Sequence, residues 1–318
     1  MWIVWSLISI VFFSLSGIFE KKGSRVEEEC TELKLLVWFG IFSNAVAVCI
    51  EAFGLRELDA NLFEFLRENP AIMLCPLFYM LSLLFLFISL KFIPLSINVP
   101  ITSTNGIYCF AGAIILYAAL GKFQEVREEV SLIKVVLVLA VTVTIAVSSI
   151  LYNRFVHKNY EDREYIELKK KTPLFVIVGI VFAVFSALSD ASDSVVTYYI
   201  LEEVCGSLDY IFIYYLISGI IAFFAYILLT IKTRKLYNPF ARSEKYKMAG
   251  SGLDCLGTVT SNLAVALNPF FADPLISTYF IFTIFFSRML LREKFDKKQY
   301  FCIAVIFICV VLFAILDA

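Results

Sequence analysis

The chain has 318 residues, of which 60% are hydrophobic and only 17% charged, with a mean hydropathy of +0.85. Soluble domains hold roughly 45–50% apolar and about 25% charged residues. The excess here is gathered into long blocks, which is the pattern of lipid contact and not of a larger core. With a net charge of -1, nothing in the composition points to a nucleic-acid partner.

Ten apolar segments are predicted, at 2–19, 33–54, 71–91, 95–119, 131–152, 174–199, 208–231, 245–267, 273–291 and 299–316. Each suits a hydrocarbon layer of roughly 30 Å, some with tilt. In the first, the positive charges Lys21, Lys22 and Arg25 follow the apolar run. That order is the reverse of a cleaved signal peptide, so the segment is expected to be a membrane helix. After the second segment, Asn61 and Glu64 form a capping pattern on Leu62, Phe63, Phe65 and Leu66. This short helix suits the membrane interface or an ordinary loop equally well. The polar loop from Arg154 to Thr172 holds the lone histidine, His157, to which no role is assigned. It divides the chain into 1–153 and 174–318, with 154–173 as linker. The eight cysteines show no metal or redox spacing and read as small packing residues.

The two halves lie on each other. Ile10-Val11-Phe12 falls on Ile180-Val181-Phe182, which sets Ser16 on Ser186 and Glu20 on Asp190. Pro100-Ile101-Thr102-Ser103-Thr104 has a second copy in Pro274-Leu275-Ile276-Ser277-Thr278. With five crossings per half, the second half enters from the opposite side. The predicted fold is therefore an all-α polytopic membrane protein of ten transmembrane helices, in two inverted five-helix repeats. All but five of the 27 Lys and Arg (Arg56, Arg67, Lys122, Arg127 and Lys134) flank one side of this arrangement. The positive-inside rule puts that side in the cytoplasm and both termini outside.

The architecture, the proline-led fourth and ninth segments and the closing turn Leu291-Arg292-Glu293-Lys294-Phe295 resemble the drug/metabolite transporter superfamily, in its ten-helix form with two EamA-like repeats. In the first half, Lys122 stands where that family has a glutamate. Members usually keep both termini in the cytoplasm, opposite to the charge distribution here. The resemblance implies a multi-pass transporter, expected in the cell membrane.

A charged group deep in a bilayer is costly and reads as functional or as half of a buried pair. Asp254 sits mid-segment between Gly250, Gly252 and Gly257, which permit close helix approach or local unwinding. Asp190 and Asp193 share a helix face in the outer third of the sixth segment, where they are expected to be wetter. A carboxyl group removed from water can load and release a proton near neutral pH. Glu20, followed by Lys21 and Lys22, is expected to be a solvated interfacial carboxylate. Asn98 and Asn105 lie seven apart on one face with Thr102 between and Tyr108 nearby, and Asn262 lies on the side of Asp254. These are expected to face the bundle interior, as substrate contacts or as helix–helix hydrogen bonds.

The expected function is secondary transport of a small metabolite or organic cation by alternating access, coupled to protons. An amine or a neutral metabolite is favoured over a phosphate anion, because basic residues are nearly missing from the segments. A receptor or scaffold without transport is the alternative. An intramembrane enzyme is disfavoured, because Asp254 sits one position too late for a Gly-x-Gly-Asp protease pattern and no Gly-x-Ser-x-Gly or His-Glu-x-x-His exists. No cofactor motif or P-loop is present.

Overall fold

The computed structural model describes residues 1–23, 28–56, 62–93, 95–159, 173–283, 286 and 297–316. Among these, all regular structure is helical. The helices are α1 (Trp2–Gly23), α2 (Thr31–Ala52), α3 (Leu62–Glu68), α4 (Leu74–Phe92), α5 (Leu95–Thr102), α6 (Asn105–Ala119) and α7 (Phe123–Glu129). They continue with α8 (Leu132–Asn159), α9 (Pro173–Glu203), α10 (Ser207–Thr233), α11 (Lys245–Leu267), α12 (Ala272–Ile276) and α13 (Lys297–Leu316). Asn61, Pro94, Arg288 and the turn at 291–295 lie outside the described residues, as does most of the inter-half loop. The side chain of His157 does too.

Six described stretches are long and apolar enough to cross a membrane: Trp2–Gly23, Thr31–Ala52, Pro70–Phe92, Asn98–Ala119, Val176–Glu203 and Ser207–Thr233. The chain is therefore a membrane-embedded helical protein. Helix α11 is as long as these but not as apolar, and its position explains why. It runs between α1, α2 and the bundle interior, so Ser251, Asp254, Thr258 and Asn262 are buried against protein and not against lipid. Short α3 keeps no buried residue and leaves Phe63 exposed, as an interfacial helix would.

Helix α1 packs antiparallel on α11, and α4 antiparallel on α9. The two pairs are joined in the same way. Ser9 and Ser16 donate to the carbonyls of Gly257 (2.9 Å) and Gly250 (3.0 Å). In the other pair Ser89 donates to the carbonyl of Gly179 (2.8 Å), and Ser186 to that of Ser82 (3.0 Å). Ser9 and Ser16 are the counterparts of Gly179 and Ser186 in the alignment of the halves. Both crossings are thus pinned at matching points two turns apart.

The repeated proline motif has a matching local structure as well. Both copies leave the helix at the Ser-Thr pair. Ser103 N–H reaches the Val99 carbonyl (2.8 Å) and Thr104 N–H that of Ile101 (3.1 Å). Ser277 N–H reaches the Asp273 carbonyl (2.8 Å) and Thr278 N–H that of Leu275 (3.0 Å). The fourth predicted segment is therefore two helices, α5 and α6. The ninth begins with short α12 and resumes at 279. Pro100 lies within α5 and Pro274 within α12, three residues before each break, and each withholds one backbone donor. The breaks meet: Gly106 sits so close to Ser277 and Pro274 that a Cβ would lie 2.5 Å from the Ser277 hydroxyl.

Glycine decides the third antiparallel contact, of α2 on α10. A Cβ on Gly40 would lie 2.0 Å from that of Ala222. Gly40→Val is therefore expected to destabilise the protein by about 1–3 kcal/mol, as overpacked cores do. Gly17→Ala meets nothing within 4 Å and should be neutral or stabilising, since alanine favours helix over glycine. Thermal unfolding in detergent would compare them, and equal melting points would refute the assignment.

Candidate functional site

A cavity lies where these helices converge, enclosing about 1150 Å³ including the part open to solvent. Residues of α1, α4, α5, α6, α9, α11 and α12 line it. Five carboxyl groups face it: Glu20, Asp190, Asp193, Asp254 and Asp273. No lysine, arginine or histidine lines it among the described residues.

Each carboxyl is positioned by neutral donors. Tyr79 donates to Asp254 Oδ2 (2.9 Å) and shares its hydroxyl with Thr258 (2.9 Å). Asn105 donates to Asp190, and Ser277 donates in turn to Asn105 Oδ1 (2.8 Å). Tyr198 donates to Asp273 (2.5 Å), Tyr214 to Asp193 (3.2 Å) and Ser16 to Glu20 (3.0 Å). Behind Tyr79, which lines the cavity, Tyr210, Tyr214, Tyr215 and Phe39 form a buried aromatic cluster of tilted and T-shaped rings, with centroids 5.4–6.4 Å apart. Neutral donors fix the carboxyls without neutralising them. Like charges confined in a low-dielectric space repel strongly, so this arrangement suits groups that carry protons or meet a cation.

The structure brings Asp254, Asp190, Asp193, Asn105 and Asn262 to one cavity, and it corrects three expectations. Asp193 is not wetter than Asp254: the two are 8% and 7% exposed, because α9 is covered by α4, α6 and α10. Glu20 is not an interfacial carboxylate. It is 4% exposed, because Gly250 lets α11 close over it. Tyr108 is 42% exposed and does not line the cavity. Three residues past Asn105 turn it about 60° away, onto the outside of α6. Asn98 is fully buried outside the cavity and takes the second of its two expected roles, a helix–helix hydrogen bond, donating to Ser89 Oγ (2.6 Å) between α5 and α4. The glycines around Asp254 serve close approach and not unwinding, since α11 is continuous.

Sequence reasoning missed Asp273, Tyr79 and Tyr198. Asp273 was within reach, since it immediately precedes Pro274 of the repeated motif. The tyrosines carried no signal among 16.

One end of the bundle is closed below Glu20 by an ion-pair network. Lys247 bonds Glu28 (2.8 Å) and Glu244 (2.9 Å), Lys34 bonds Glu28 (2.5 Å), and Tyr237 donates to Glu244 (2.9 Å). Burial alone would raise the Glu28 carboxyl, but hydrogen bonds from Lys247 and Lys34 outweigh it and hold the group below its ordinary 4.5. A depressed acid stabilises the fold above its unfolded value and loses that contribution as pH falls through the folded one. The wild-type melting temperature should therefore drop below about pH 4.5 more steeply than that of Glu28→Gln. Parallel curves would contradict this.

No known protein-family model matches the chain, and no curated protein sequence does. Among solved structures it is similar to one described simply as a crystal structure of a protein, with a TM-score of 0.66 and 12% identity. That match covers 98% of this chain and 97% of the other. At that identity the likeness establishes the fold alone.

Proposed function

We propose that the chain is a secondary transporter of ten membrane-crossing helices in two inverted halves. It moves an amine or neutral metabolite by alternating access, with transport coupled to protons. The observation that carries this reading is the cavity itself. Its five carboxyl groups come from both halves and meet no basic side chain among the described residues. Such a site repels phosphates and carboxylates and favours protons and organic cations. Aromatic faces at Phe13, Tyr79 and Tyr279 add cation–π attraction.

The matched serine–carbonyl crossings and the matched helix breaks support two duplicated halves. Glu20 and Asp190, counterparts in that duplication, both face the cavity. Alternating access then follows from rocking of one half against the other about the facing breaks at 103–104 and 277–278. Asp254 is assigned the coupling role, being central on α11 and tied to α4 through Tyr79.

The test is uptake into proteoliposomes under an imposed pH gradient, with amines, amino acids, nucleosides and sugars. Substrate-dependent proton flux supports the reading. Reversible binding of the same solutes with no flux would replace it with a receptor.

A further inference from the structure

Resting on the transport reading, we propose that the cavity's ligand is an elongated amine. It carries at least two positive charges and one neutral oxygen acceptor, as an acylated or hydroxylated polyamine does.

Three observations converge on that class. The carboxyls come from four different helices, with Glu20 on α1, Asp190 and Asp193 on α9, Asp254 on α11 and Asp273 on α12. Among the described residues they do not gather into a group that could hold a metal ion. A compact ion would need converging oxygens at about 2.0–2.6 Å. Charges met at separated points call instead for an extended ligand.

Second, among the described residues the lining has no cation to receive an anionic group, which disfavours phosphorylated and zwitterionic ligands.

Third, Asn262 is 8% exposed, lines the cavity, and its amide nitrogen has no hydrogen-bond partner. It lies on the stripe of Asp254 and Thr258, at one-turn spacing along α11. A buried N–H without an acceptor is costly, so the ligand should supply one. A protonated amine cannot, having no lone pair, whereas a carbonyl, hydroxyl or ether oxygen can. The ligand therefore carries neutral oxygen as well as positive charge.

The test is equilibrium binding to the full chain in nanodiscs, with three probes. N-acetylspermidine has two ammonium groups and a carbonyl, N-acetylputrescine has one ammonium and a carbonyl, and 1,8-diaminooctane has two ammonium groups and no oxygen. N-acetylspermidine is expected to bind at least about tenfold tighter than either of the others, for the charge-assisted contact that N-acetylputrescine lacks and the Asn262 hydrogen bond that 1,8-diaminooctane lacks. Asn262→Leu should cost N-acetylspermidine about tenfold and 1,8-diaminooctane less than about threefold. Asn262→Asp, nearly isosteric, should weaken N-acetylspermidine relative to 1,8-diaminooctane, which gains a carboxylate partner.

Equal binding of the mono- and dicationic probes would overturn the proposal. So would an Asn262 variant that weakens both dications alike. If no amine binds while another solute is taken up under the pH gradient, the ligand class falls and the transport reading stands. If no solute moves and no amine binds, both fall.

Discussion

Asp254→Asn is expected to reduce pH-gradient-driven uptake to the level of protein-free vesicles while the protein remains folded. Asparagine keeps the size of the side chain and an oxygen that can accept from Tyr79 at the present 2.9 Å. The Tyr79–Thr258 contact is retained as well. What is removed is the carboxylate's negative charge and, with it, the ability to take and release a proton. Asp254 shares its cavity with Glu20, Asp190, Asp193 and Asp273 and with no basic side chain among the described residues. Its charge is therefore set by protons and ligand alone. A coupled carrier with its coupling group neutralised still binds substrate and can exchange it between equal pools, but a pH gradient no longer does work on it. The measurement pairs driven uptake with equilibrium exchange of one substrate in the same vesicles. Loss of the first with survival of the second is the expected outcome. Driven uptake persisting near the wild-type rate would reduce Asp254 to a hydrogen-bonding group at the α4–α11 contact.

Lys247→Met is expected to cost about 3–5 kcal/mol of stability, the usual price of removing one partner from a buried ion pair. The Lys247 side chain is 3% exposed and lies between Glu28 and Glu244, itself only 7% exposed. Methionine would fill the space along Gly23, whose backbone packs directly on Lys247. It would leave the Glu244 carboxylate buried with Tyr237 and Ser243 as its hydrogen-bond donors. Removing both charges, with Lys247→Met and Glu244→Gln together, should recover part of the loss, since the two residues are directly coupled. Thermal unfolding in detergent reads both effects. A single variant melting with the wild type would show that the network contributes nothing net.

The sequence by itself determined the membrane setting, the helical class and most helix positions, because long apolar runs have no stable place in water. It also marked the duplicated proline motif and the carboxyls Asp190, Asp193 and Asp254, because a charge in such a run is too costly to be incidental. The register that pairs Glu20 with Asp190 was legible too, yet the flanking lysines pointed to solvent for Glu20. Only the tertiary structure decided which polar residues share a cavity. Gly250 admits α11 over Glu20, the break at Ser103–Thr104 separates α5 from α6, and Asn98 turns toward Ser89 while Asn105 reaches Asp190. Helical spacing fixes which residues lie along one face of one helix. It does not fix which neighbour covers that face, and that depends on glycine contacts and helix breaks that bring together helices far apart in the chain.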